Sequence, residues 1–164
     1  MRILGIDPGY RNLGLAIIDI QPSGAHIVWS ENMSVGSASN GLFFVKFLWP
    51  KLDELYVKYG IEGLASETPP FIMKQVKTTA LLWAVSTITV CWAYHRGLPF
   101  RHASPISIKK AVARALGLPW RQKSMPKKKE VREAVIQYTG NGLGSHENDA
   151  VLSAILLYSN LIPK

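Results

Sequence analysis

One cysteine, Cys91, is all the thiol chemistry this chain has. No disulfide can form within it, which rules out a disulfide-stapled scaffold and suits a reducing interior. Long hydrophobic runs are also missing. The longest uncharged stretch, Thr78 to His95, is broken by Thr78, Thr79, Ser86, Thr87 and Thr89 and is too polar for a membrane span. A buried or partner-packed helix is the better reading. Arg2 is followed by Asp7 before any apolar core of useful length, so the start of the chain does not read as a signal peptide. No internal repeat, low-complexity segment or second domain is visible, and residues 1–164 read as a single domain long enough for a real core.

Acidic residues are few: 11 Asp and Glu stand against 19 Lys and Arg, giving a net charge of +8. With 48% apolar and 18% charged residues, the composition is that of a soluble globular protein. The excess is confined. Arg101 to Tyr138 holds ten basic residues and two acidic ones, Glu130 and Glu133, so the remainder is neutral. A basic stretch of this kind suggests a face aimed at a polyanion, most often nucleic acid. A merely solvated surface is the bland alternative. Anionic lipid is the weaker one, because no hydrophobic anchor lies beside the charge.

The stretch that organises the chain is Arg2 to Gly14. Ile3, Leu4 and Ile6 read as a buried strand that stops at Asp7, where Pro8 and Gly9 impose a turn. Leu13 to Ile20 reads as its hairpin partner, and Ala25 to Met33 as a third strand, followed by a Gly- and Ser-rich loop from Val35 to Asn40. A carboxylate at a buried strand end is costly to desolvate unless something compensates it, and a metal ion is one such compensation. Taken alone, Asp7 could simply cap the turn.

Leu42 to Tyr59 has helical apolar spacing with Pro50 inside it, which predicts a helix kinked or split there. Ile61 to Ser66 predicts a buried strand ending at a second acid, Glu67, which Pro69 and Pro70 follow. Phe71 stands just beyond, either on an exposed turn suited to base stacking or tucked into the core. Met73 to His95 predicts a long helix, apolar over most of its circumference, which implies burial against the core and against a second subunit. Leu98 to His102 predicts a short strand. Ser104 caps a helix running to about Leu116, with Pro105 in its first turn, and Lys127 to Thr139 predicts another helix. In Ser145-His146-Glu147-Asn148-Asp149, Ser145 reads as a cap, and His146 and Asp149 share a face of the first turn of a last, apolar helix. The helix dipole alone would explain Asp149.

Asp7, Glu67, His146 and Asp149 form a set. Carboxylate oxygens suit hard divalent ions such as magnesium, and an imidazole is acceptable to manganese. Paired ions of this kind activate water and stabilise the leaving oxygen in phosphodiester cleavage. The histidine could instead carry a proton or contact the scissile phosphate. Each residue has a structural explanation alone; together with the basic stretch they point to a nuclease.

The set resembles the RuvC family of Holliday junction resolvases: Ile6-Asp7-Pro8-Gly9 with Gly14, the strand-end Glu67, and His146-x-x-Asp149 before a small apolar helix. The likeness runs in order and spacing over nearly the whole chain. It implies an α/β, RNase H-like fold, with a mixed five-stranded sheet flanked by helices. It also implies a homodimer that nicks opposed strands of four-way branched DNA with Mg2+ or Mn2+, two ions per active site. Asp7, Glu67 and Asp149 would be metal ligands, with His146 where some members have aspartate and others histidine. Phe71 resembles an aromatic that enters the junction, one residue later here because of the Pro69-Pro70 pair. Lys109 and Lys128 resemble basic residues near the scissile strand, with Lys110, Lys127 and Lys129 as neighbours that could take their place. The implied setting is cytoplasmic and nucleoid-associated, or an equivalent DNA-containing compartment, with no membrane. Rival readings are another RNase H-like nuclease acting on RNA–DNA hybrid or branched nucleic acid, and a non-catalytic junction-binding protein. A phosphate-loop protein of the actin and sugar-kinase type ranks last, since that class needs far more residues.

Overall fold

Strand β1, Arg2–Asp7, is the centre of the sheet, and its side chains are buried on both faces. Its neighbour β2, Asn12–Gln21, runs antiparallel, pairing Asp7 with Gly14 and Gly5 with Ala16. Strand β3, Gly24–Ser34, continues the meander at one edge. On the other side of β1, β4 (Gly63–Glu67) and β5 (Phe100–Ala103) run parallel to it. The order is β3-β2-β1-β4-β5, a mixed five-stranded sheet as expected. The structure, a computed structural model of the chain, describes residues 1–9, 11–22, 24–34, 41–69, 75–115 and 126–159.

Alternation along β1 divides the core. Leu4 and Ile6 face one layer, where helix α1 (Gly41–Tyr59) and helix α2 (Val76–His95) contribute Leu48, Leu52, Val85 and Trp92. Ile3 faces the other, built from α3 (Pro105–Ala115), α4 (Lys128–Thr139) and α5 (Ser145–Ser159). The two layers cover the sheet with helices on both sides.

Two expectations need correcting. Of a helix kinked or split at Pro50, the split does not occur: helix α1 is a single element through Pro50. Pro50 is exposed, and the Lys46 backbone that would have accepted its missing N–H is on an exposed residue too, where water can satisfy it. Ser145 is not the cap of α5. It is already helical, and the first turn closes on the Gly144 carbonyl, which accepts from Asn148 N–H at 3.0 Å.

Other boundaries moved by a few residues. Helix α2 begins at Val76, α4 at Lys128, β4 at Gly63 and β5 at Phe100. Ser104 does cap α3, its Oγ accepting from Ser107 N–H at 3.1 Å. By length and composition α2 could cross a membrane, but Leu81, Leu82, Val85, Ile88 and Trp92 are buried inside the protein. The Trp92 indole donates to Asp53 at 2.7 Å, fastening α2 to α1.

Candidate active site

Strand parity decides which acids meet. Ile3, Gly5 and Asp7 point to one face of β1, and β4 pairs Ile3 with Gly63 and Gly5 with Ala65. Glu67 follows by the same count, on the same face and at the same strand end as Asp7. Thr68 N–H donates to the Ala103 carbonyl at 2.9 Å, which carries the β4–β5 pairing just past Glu67.

That face belongs to α5. Gly5, Ala16 and Ala65 form a row of small residues across three strands, and Ala150 and Ala154 of α5 pack onto it. A Cβ on Gly5 would overlap the Ala150 carbonyl, and one on Gly14 would overlap the His146 carbonyl. The helix is therefore seated directly on backbone. This close approach brings its first turn over the end of β1.

The result is one short bond across the chain: His146 Nδ1 lies 2.6 Å from Asp7 Oδ2. The Asp7 side chain is 14% exposed and that of His146 38%, so the acid is covered and the ring is open to solvent. Burial raises the Asp7 carboxyl above its ordinary value, while the hydrogen bond and charge of His146, and the charge of Lys128, pull it back. Glu67 is pushed up to about 8, first by burial and then by the charges of Asp7 and Asp149, with Lys109 opposing. Asp149 is raised to about 6 by burial and by Asp7, against His146, Lys128 and Lys109. Three carboxylates thus crowd one another at a partly buried point.

The lysines separate. Lys109 on α3 and Lys128 at the start of α4 act on these carboxylates. Lys110, Lys127, Lys128 and Lys129 are all exposed, and Lys129 reaches Glu133 at 3.8 Å. Phe71 lies outside the described residues, as do Arg121 and Lys123 of the basic stretch. Nothing in the sequence draws attention to Asn148. It is 2% exposed, between His146 and Asp149, and its side chain pairs with the backbone of Leu143.

The donor set suits a hard divalent cation. Among the described residues no three His, Cys, Asp or Glu side chains are gathered closely enough to hold an ion as they stand. Burial raises all three carboxyls, and the charge of Asp7 raises Glu67 and Asp149 further; a cation among them would oppose both effects by favouring the charged forms. Asp7, Glu67 and Asp149 supply oxygens, and His146 offers an imidazole already held by Asp7.

A five-stranded mixed sheet in this order, with helices on both faces and acids gathered at the end of its central strand, is the RNase H-like architecture. Within that class, the chain belongs to the RuvC family: the family model described as crossover junction endodeoxyribonuclease RuvC matches residues 3–125. The crossover junction endodeoxyribonuclease RuvC of Caldanaerobacter subterraneus subsp. tengcongensis is 26% identical over 112 residues, 68% of this chain and 67% of that protein. The structure of T. thermophilus RuvC in complex with Holliday junction substrate superposes with a TM-score of 0.78 at 21% identity, over 98% of this chain and 96% of that one. The fowlpox virus resolvase, solved with its substrate Holliday junction DNA, gives 0.56 at 12% identity over 99% of this chain and 100% of that one. The family match carries Asp7, Glu67 and Lys109 and ends before Lys128, His146 and Asp149. Those three are joined to the other acids by the fold.

Proposed function

We propose that this chain is a metal-dependent, structure-selective endonuclease that resolves four-way (Holliday) DNA junctions by paired symmetric nicks. Membership of the RuvC family supports the reaction class, and the meeting of Asp7, Glu67, His146 and Asp149 at one strand end carries the assignment of the site.

Asp7, Glu67 and Asp149 would hold Mg2+ or Mn2+, two ions per site. Bound there, such ions supply an activated water and charge stabilisation for the leaving oxygen. The rest falls to the chain. His146, held through Nδ1 by Asp7, keeps its other ring nitrogen for an ion or for the scissile phosphate. Lys109 and Lys128 flank the carboxylates, where a scissile phosphate needs positive charge. Lys110, Lys127 and Lys129 hold the backbone of the junction arms. Phe71 is assigned the stacking role at the branch.

Two opposed scissile phosphates call for two sites, so the working form is a homodimer paired through α2. Residues 1–164 act as one nuclease domain in the cytoplasm, associated with the nucleoid, or in an equivalent DNA-containing compartment. The test is cleavage, with Mg2+ or Mn2+, of a synthetic four-way junction beside three-way, linear duplex and RNA–DNA hybrid substrates. Symmetric nicks in the four-way junction are expected. Preference for the hybrid would replace this reading with that of another RNase H-like nuclease, and tight junction binding without cleavage would make the chain a binding protein.

A further inference from the structure

We propose that Asn148 is a positioning residue of the active site, which sets where His146 and Asp149 stand by locking the first turn of α5 to the loop before it. The inference rests on the reading of His146 and Asp149 as part of the ion site. Asn148 lies between them in sequence, and at 3.6 residues per turn its side chain leaves the helix on a different side. It touches no reacting group; it acts on the backbone that carries both.

The bonding is a two-way clasp. Leu143 N–H donates to Asn148 Oδ1 at 3.2 Å, and Asn148 Nδ2 donates back to the Leu143 carbonyl at 2.9 Å. This pairing fixes the orientation of the amide, because each end meets a backbone group of the opposite kind. Its own N–H closes on Gly144 at 3.0 Å, so side chain and backbone pin two successive residues of the loop. The side chain is 2% exposed, so water does not compete for these groups.

The clasp complements the glycine seat. Gly14 lets the His146 backbone sit against β2, which limits how deep the helix start can go. That contact does not stop the turn from sliding or rotating along the sheet. The bonds to Leu143 do, and a small rotation of this turn would move the His146 ring off Asp7 and carry Asp149 away from the other acids. Alanine at 148 would keep the helix and remove only the lock.

The loop supplies its own control. Thr139, 7% exposed at the end of α4, accepts from Asn141 N–H at 3.3 Å, and its one hydroxyl proton is shared between the Val135 carbonyl at 2.8 Å and the Asn141 carbonyl at 2.9 Å. It fastens the other end of the same loop and has no link to His146 or Asp149. Thr139→Val therefore removes a comparable buried polar anchor without touching the turn that carries the site.

The experiment compares the parent chain with Asn148→Ala, Asn148→Gln, Thr139→Val and Asp149→Asn. Mn2+ binding to the protein alone is read by electron paramagnetic resonance. Junction affinity in EDTA, thermal stability and the Mn2+ dependence of cleavage are read beside it. Asn148→Ala is expected to raise the Mn2+ concentration for half-saturation by about ten- to a hundredfold, the range for residues that orient ligands. Junction affinity in EDTA should stay within about twofold, and Thr139→Val should leave the Mn2+ requirement at the parent value whatever its thermal stability. Asn148→Gln, which keeps the amide but lengthens its reach, should also raise the requirement, and it decides the matter if Asn148→Ala does not fold. A parent-like Mn2+ requirement in a folded Asn148 variant overturns the proposal, as does an equal shift in Thr139→Val. Parent-like Mn2+ binding by Asp149→Asn would overturn the ion-site reading itself. Loss of Mn2+ in Asp149→Asn with none in the Asn148 variants would overturn the positioning role alone.

Discussion

Nδ1 of His146 stands 2.6 Å from Oδ2 of Asp7, tying the first turn of the last helix to the end of the first strand across 139 positions of sequence. The bond opposes the burial that would otherwise keep a proton on Asp7. His146→Ala removes that opposition, so Asp7 should ionise at higher pH than in the parent. Cleavage is expected to fall by about ten- to a hundredfold, most at the acid end of the profile and least at the alkaline end. His146→Asp should retain more activity, because a carboxylate oxygen suits Mg2+ better than an imidazole does. Single-turnover cleavage measured across pH checks both. A uniform loss in His146→Ala at every pH would separate the histidine from the ionisation of Asp7.

Glu67 and Asp149 make the metal-free fold sensitive to pH in a defined direction. Both carboxyls are raised, Glu67 from 4.5 to about 8 and Asp149 from 3.8 to about 6, so the folded chain holds these protons more tightly than the unfolded one. Their stabilising contribution is complete below the lower values and is lost as pH rises through the upper ones. In EDTA, Tm should fall as pH rises from about 6 to about 8, mainly through Glu67. Glu67→Gln should flatten that fall. It should also reduce cleavage by about a thousandfold, equivalent to several kcal/mol of lost charge stabilisation, with junction binding kept. Mg2+ or Mn2+ should raise the parent's Tm more at the alkaline end, where all three carboxylates must carry charge. Thermal denaturation of parent and variant, with and without metal, tests the sign.

Much of this site was legible because its parts are local. The apolar runs ending at Asp7 and Glu67 placed two acids at strand ends, and β1 and β4 do end there. The three-residue spacing put His146 and Asp149 on one face of a helix start. What joins the pairs is not local. The row Gly5, Ala16 and Ala65, which lets α5 sit on the sheet, comes from three strands whose order no single segment states. Pro50 does not split α1, because helix-breaking propensity gave way to tertiary packing, with Leu48 and Leu52 fully buried on either side of it. Among neighbouring lysines, the family resemblance pointed to Lys109 and Lys128 but left Lys110, Lys127 and Lys129 open, and the fold puts the charges of Lys109 and Lys128 on the carboxylates by bringing α3 and α4 beside α5.

That selection makes Lys128 and its neighbours separable. All three lysines are exposed, but it is the charge of Lys128 that lowers the Asp7 and Asp149 carboxyls, while Lys129 pairs with Glu133. Lys128→Ala should reduce the cleavage rate more than junction affinity. Lys127→Ala and Lys129→Ala should do the reverse, weakening binding to all sequences alike. Each lost phosphate contact should flatten the slope of log affinity against log salt by about 0.9. Binding titrations over a range of salt, with single-turnover rates beside them, give both numbers. An unchanged slope with all three lysines replaced by alanine would move the DNA face elsewhere.

Helix α2 carries the case for two copies. Val76, Ala80, Trp83, Thr87, Cys91 and Tyr94 are exposed and follow one line down the helix, spaced by three or four residues. None is charged. Val76 is 73% exposed, Trp83 41% and Tyr94 87%, while the opposite side of the same helix is buried against α1 and the sheet. A chain alone would leave this stripe in water. A two-fold axis across α2 would set the stripe against its own copy and bury it, with small Ala80, Thr87 and Cys91 allowing close approach. Trp83→Glu places a charge on each side of that contact, where desolvation is unfavourable without a partner. The parent should sediment as a dimer and Trp83→Glu as a monomer with its fold retained. The variant should also nick the two opposed strands of a junction independently instead of together, since each site would arrive on its own. A parent that sediments as a monomer at working concentration would remove α2 from the interface.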